Sequence, residues 1–167
     1  CVGGFIAPFA RELGRPIPDF DFTVPGVTSM SADLHKYGFT AKGASTFLLC
    51  NEALRKYQIF EFDEWSRGHY ASPTIPGTRP GGPIAAAWAV LNYLGWDGYL
   101  RIANELFHAI DRLKKGIRSI DGLSIIADPP LTILSYTSST YDIFAVAEAM
   151  SRHGWFVTRS AEPRAIH

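Results

Sequence analysis

Two short apolar runs, Val27-Thr28-Ser29-Met30-Ser31-Ala32 and Ser45-Thr46-Phe47-Leu48-Leu49-Cys50, flank a lightly charged, glycine-bounded turn. Each run has the length and the bounding turn residues of a buried strand, and neither is long enough for a helix. Two strands arranged this way present whatever the turn carries at their shared end, although sequence alone leaves their pairing open. The turn carries Asp33-Leu34-His35-Lys36-Tyr37-Gly38-Phe39-Thr40-Ala41-Lys42-Gly43, with a histidine directly before a lysine and a second lysine six residues later.

At 167 residues the chain has room for one domain, or for parts of two, with a sizeable core. A hydrophobic share of 47% and an aromatic share of 13% exclude a disordered chain. Sixteen basic residues balance sixteen acidic ones, so no net field draws the chain to nucleic acid or to an anionic membrane. Cys1 and Cys50 form neither a CxxC pair nor a zinc spacing; they are expected to be reduced, packed thiols of a cytoplasmic protein, with no metal site. The longest apolar stretch, Ile84 to Leu91, stops at Asn92 and is too short to cross a bilayer. The opening Cys1-Val2-Gly3-Gly4-Phe5 has neither an initiator methionine nor a basic segment, and Glu162-Pro163-Arg164-Ala165-Ile166-His167 ends as abruptly. The chain therefore reads as a fragment.

A proline-rich loop, Pro16 to Pro25, precedes the first strand, and a second loop rich in glycine, proline, serine and threonine runs from Tyr70 to Pro83. Pro83 suits the first turn of a helix, and an apolar helix is expected over Ile84 to Leu94. Asp97 is expected to cap a second helix with Leu100, Ala103, Leu106, Phe107, Ile110 and Leu113 at helical spacing, stopped by Lys114-Lys115-Gly116. Leu123 to Ala127 and Leu131 to Tyr136 read as strands separated by Asp128-Pro129-Pro130. Ser138 or Ser139 is expected to cap a helix from about Tyr141 to His153, ended by Gly154, with a further strand over Trp155 to Thr158. This β-β-α-β tail reads as a small α+β domain joined to the first part by the long helix, and the chain has no internal repeat.

Two places carry chemistry. An ordinary lysine ammonium has a pKa of about 10.4 and attacks carbonyls poorly near neutral pH, whereas a desolvated lysine, or one beside a second cation, is freed to react. Lys36 has His35 beside it and Lys42 within reach of a folded turn, yet most His-Lys pairs in proteins are solvated surface residues. Gly77-Thr78-Arg79-Pro80-Gly81-Gly82 offers backbone N–H groups, a hydroxyl and a guanidinium ahead of a helix N-terminus, which suits an anion; a plain helix entry explains it equally well. Asp19 and Asp21 read as solvated, and His69, His108 and His153 lack metal-like spacing. The acidic cluster Glu61, Asp63 and Glu64 shows no paired acid and base, and Phe60, Phe62, Trp65 and Tyr70 are expected to pack as core. No Ser-His-Asp set, Walker loop or GxGxxG pattern occurs.

The pattern Ser31-Ala32-Asp33-Leu34-His35-Lys36-Tyr37-Gly38, followed by Ala41-Lys42-Gly43, closely resembles the cofactor-lysine segment of the sphingosine-1-phosphate lyases, within the group II pyridoxal-phosphate decarboxylase superfamily. Asp33 and Leu34, where other members carry asparagine and proline, favour the lyase branch. The resemblance implies that Lys36 carries pyridoxal 5'-phosphate, that His35 lies near its phosphate and that Lys42 assists proton transfers. Gly77-Thr78-Arg79-Pro80-Gly81-Gly82 resembles the family's Gly-Ser-Arg-Pro-Gly-Gly loop, with Thr78 in place of serine. It implies a homodimer in which the loop 77–82 reaches the partner's cofactor phosphate through Gly77 and Thr78. The implied fold is α/β, a partial fold-type I pyridoxal-phosphate-dependent transferase. Residues 1–83 would end its large domain, 84–118 would form linking helices, and 119–167 would be part of the small C-terminal domain. The implied reaction is retro-aldol cleavage, between C2 and C3, of a phosphorylated long-chain base to a fatty aldehyde and phosphoethanolamine. Two alternatives stay open: an amino-acid decarboxylase of the same superfamily, and a non-catalytic piece that only packs or dimerises. The family's aspartate that pairs with the cofactor's pyridine nitrogen would stand two positions before Cys1, so the isolated piece is expected to be inactive.

Overall fold

The structure is a computed structural model that describes residues 4–167; the Cys1 thiol and the Val2-Gly3 opening lie outside the described residues. The chain divides into two compact units, residues 1–5 with 18–95, and residues 6–17 with 96–167.

In the first unit, β1 (Ser29–Ala32) and β2 (Thr46–Leu49) pair antiparallel, with Ser29 opposite Leu49 and Ala32 opposite Thr46. The pairing that the sequence left open is thus a ribbon closed by the loop 33–45. Cys50 follows it and is exposed, where a packed thiol was expected. Asn51 then caps a 3-10 helix, Glu52–Tyr57, its side-chain oxygen accepting the Leu54 N–H at 3.2 Å. A second ribbon joins β3 (Phe60–Phe62) to β4 (Tyr70–Ser72), with Phe62 opposite Tyr70. Here the expectation of a packed aromatic core fails. Phe60, Phe62, Trp65 and Tyr70 are all exposed, and Tyr70 meets two of the others edge to face, Phe60 at 6.3 Å and Trp65 at 5.8 Å.

The helix α2 runs over Gly81–Arg118, with a break at Gly95 (φ 57°, ψ −173°). That left-handed conformation is open to glycine at little cost, so Gly95, ahead of Asp97, separates the two expected helices. Pro83 stands in the first turn, as expected. Gly116 does not stop the second helix, which continues to Arg118. A mid-helix glycine costs only about 1 kcal/mol. On either side of it Lys114 and Arg118 are both tied to Asp128, at 2.5 Å each, which holds the last turn in place.

In the second unit, α1 (Ala7–Glu12) sets Phe9 against Trp96 at 4.7 Å and Tyr99 at 5.4 Å. Tyr99, Ala103, Phe107, Ile110 and Lys114 make the buried stripe of the helix. It is rotated from the expected one: Leu113 is 58% exposed, and Tyr99 and Lys114 complete the row. A four-stranded antiparallel sheet follows in the order β5 (Leu123–Ala127), β6 (Ser135–Ser138), β8 (Ala165–Ile166), β7 (Arg159–Ser160). Strand β6 starts at Ser135, later than the expected Leu131, and the Pro129 and Pro130 carbonyls ahead of it accept from Lys114 Nζ (2.7 Å) and Arg15 Nε (3.2 Å). The helix α3 (Ile143–Arg152) is capped by Asp142, not by Ser138 or Ser139, its carboxylate accepting the Phe144 N–H at 3.0 Å. Ile143, Ala147 and Ile166 form the core between helix and sheet. The stretch Trp155 to Thr158 is not a strand: Gly154 (φ 84°) turns the chain, and Trp155 and Phe156 are exposed. No helix among the described residues is long and apolar enough to cross a membrane.

Candidate functional site

The turn between β1 and β2 is closed by its own backbone. The His35 N–H donates to Ala44 O at 3.2 Å, the Thr40 N–H to Leu34 O at 3.2 Å, and the Phe39 N–H to Lys36 O at 3.0 Å. Gly38 is required by close approach, because a Cβ there would lie 2.4 Å from the Leu34 carbonyl oxygen. Phe39 takes a positive φ of 57°, an uncommon conformation for a bulky residue, stacked edge-on to Tyr37. Uncommon backbone conformations of this kind cluster at functional sites.

Within the turn, His35 Nδ1 lies 2.8 Å from Ala44 O. A carbonyl only accepts, so Nδ1 carries the hydrogen and Nε2 is the nitrogen left for a ligand. The Lys36 side chain is 36% exposed, and its Nζ lies 2.5 Å from Asp33 Oδ2. The other oxygen of that carboxylate accepts the Ser45 hydroxyl at 2.7 Å. The Lys36 ammonium, helped by the Ser45 hydroxyl, holds the Asp33 carboxyl far below the usual carboxylate range. Sequence reasoning used Asp33 only as a branch marker and passed over Ser45; the three-residue step from Asp33 to Lys36 across a tight turn was the available signal. Lys42 is exposed, next to Gly43, where an added Cβ would meet the Pro83 ring at 3.2 Å. The lysine turn therefore packs against the start of the helix that follows the second loop.

That second loop is also tied to itself. Gly77 (φ 66°) donates its N–H to Thr74 O at 3.1 Å, closing a turn. The Arg79 guanidinium folds back onto the Thr74 hydroxyl and the Gly77 carbonyl. Thr78 is exposed at its tip. In this conformation Thr78 is exposed, while the Gly77 N–H is engaged within the loop.

No family model matches this chain. It is 48% identical over 167 residues to the sphingosine-1-phosphate lyase of Arabidopsis thaliana, which covers all of this chain and 31% of that protein. It superposes on the structure of a Burkholderia pseudomallei K96243 sphingosine-1-phosphate lyase with a TM-score of 0.94 and 39% identity, covering 99% of this chain and 38% of that one. More distantly, it is 32% identical over 158 residues to an L-aspartate/L-glutamate decarboxylase of Pyrococcus horikoshii, which covers 95% of this chain and 41% of that protein. The chain thus spans about a third of the length of the lyases it matches.

Proposed function

We propose that this chain, a sphingosine-1-phosphate lyase-like member of the group II pyridoxal-phosphate-dependent decarboxylase family, is the lysine-bearing part of a carbon–carbon lyase. The reaction is retro-aldol cleavage of a phosphorylated long-chain base to a fatty aldehyde and phosphoethanolamine. The observation that carries this reading is that the likeness to lyases runs through the whole chain, the Lys36 turn included.

The described residues fit the aldehyde end of pyridoxal 5'-phosphate: Lys36 offers a part-exposed primary amine, and the ring of the preceding residue, His35, engages Ala44 O through Nδ1 and leaves Nε2 for a ligand. When bound, that group supplies an electron sink for the pair left behind by the breaking carbon–carbon bond. Lys36 would hold the group through its amine, and Lys42 would move protons near it. The exposure of Thr78 supports a phosphate contact, made together with Gly77 across a homodimer. There the Gly77 N–H must first leave Thr74 O. The domain assignment of 1–83, 84–118 and 119–167 belongs to the same reading, and the two cysteines and balanced charge support a cytoplasmic setting.

Borohydride reduction of the full-length protein with pyridoxal phosphate, followed by peptide mass mapping, is expected to mark Lys36, and Lys36→Ala is expected to abolish aldehyde release. Carbon dioxide in place of aldehyde would favour the decarboxylase, a reading supported by the Pyrococcus relative. No adduct on Lys36 would leave a non-catalytic packing piece.

A further inference from the structure

We propose that Asp33, oriented by Ser45, is a positioning residue that holds the Lys36 amine in the turn as a paired ammonium until a carbonyl ligand draws it away. This rests on reading Lys36 as the cofactor lysine, and adds what governs that amine when no ligand is bound.

The geometry is that of a three-part latch. One oxygen of Asp33 takes the Lys36 Nζ at 2.5 Å and the other takes the Ser45 hydroxyl at 2.7 Å. Asp33 directly follows β1 and Ser45 directly precedes β2, so the carboxylate spans the neck of the loop where Ala32 and Thr46 pair. The Thr46 hydroxyl adds a bond to Ala32 O at 3.0 Å in the same place. A side chain fixed to two strand ends positions its partner better than one on a free loop. Asp33 is 16% exposed and Lys36 36%, so the pair meets solvent mainly through the lysine. Because the Lys36 ammonium and the Ser45 hydroxyl keep Asp33 ionised, it acts as a counter-ion and not as a base. The proton that Lys36 must lose before attacking a carbonyl goes elsewhere, to solvent or to an incoming group.

An ammonium in such a pair must leave its partner before reacting. The part-exposed setting limits the effect to roughly two- to fivefold in rate. The test is reductive methylation of the full-length protein prepared without pyridoxal phosphate, using formaldehyde and cyanoborohydride and scored lysine by lysine by peptide mass mapping. Asp33→Asn is expected to raise Lys36 methylation by roughly two- to fivefold at neutral pH, with Lys42 and Lys56 unchanged. Ser45→Ala, which keeps the charge and frees the carboxylate to swing, is expected to fall between. Added salt should speed Lys36 labelling in the unsubstituted protein and leave Asp33→Asn unaffected, a response that a merely structural aspartate would not give. Equal Lys36 rates in all three proteins, or a rise shared by all three lysines, would overturn the latch. Methylation needs no pyridoxal phosphate, so failure of borohydride trapping at Lys36 would sink the proposed function separately.

Discussion

A methyl group on Gly38 would sit 2.4 Å from the Leu34 carbonyl oxygen and 2.8 Å from the Leu34 Cα, both backbone atoms that cannot rotate aside. Gly38→Ala must therefore open the turn that carries His35 and Lys36. The expected cost is about 1–3 kcal/mol, the range for overpacking, read as a fall in the thermal midpoint. Ala41→Gly in the same loop should not reproduce the loss of close approach. At this scale the sequence was informative where chemistry is local: His35 and Lys36 stand in one turn between two strands, as their flanking runs implied. Asp33 and Ser45 were not legible as a pair, because they are twelve residues apart and meet only when Ala32 faces Thr46. The engaged N–H of Gly77 was equally hidden, since it depends on a turn whose partner, Thr74, carries no distinctive signal.

Among the elements, the second half of the long helix was read correctly as amphipathic but with its stripe turned. Counting apolar residues admits Leu113 and passes over Lys114, whereas the fold buries Lys114 by giving its ammonium Asp128 and the Pro129 carbonyl. Phe107 lies at the centre of the true stripe, 3% exposed, with the Arg15 guanidinium 4.4 Å above its ring. Arg15 is fixed there by a two-point contact with Asp111 at 3.0 and 3.1 Å. Phe107→Ala is thus expected to cost about 3–5 kcal/mol, measured by urea unfolding, and to weaken the support of Arg15 as well. Phe107→Leu should retain most of that stability. The start of β6 is displaced too: the strand-like composition of Leu131 to Leu134 lies in a loop that follows two prolines anchored by Lys114 and Arg15.

Across the whole molecule, ionisable groups set a pH profile with two opposing limbs. Among the described residues, four carboxylates are held low: Asp33 by Lys36, Asp111 by Arg15, Asp128 by Lys114 and Arg118, and Asp142 by the Phe144 backbone N–H and then Arg164. A group whose pKa is depressed in the folded state lends stability above its unfolded value, and this is lost as pH falls through the folded one. Stability should therefore decline progressively once the pH drops below about 4, the ordinary aspartate range. His69 works in the opposite sense. Its bond to Asp63 at 2.6 Å raises its pKa, with Glu61 adding attraction, so the β3–β4 ribbon gains from a protonated imidazole. That contribution is complete below the ordinary histidine value of about 6.5 and disappears as pH rises through the higher folded value. Urea midpoints of the full-length protein measured from pH 8 down to pH 2 should rise slightly on the first limb and fall on the second. His69→Gln should flatten only the neutral limb. Asp128→Asn should lower stability at pH 7, because Lys114 is left buried beside a neutral partner, and should make the acid limb shallower. A His69→Gln profile that kept the neutral rise would assign it to another group and remove the Asp63–His69 pair from the account.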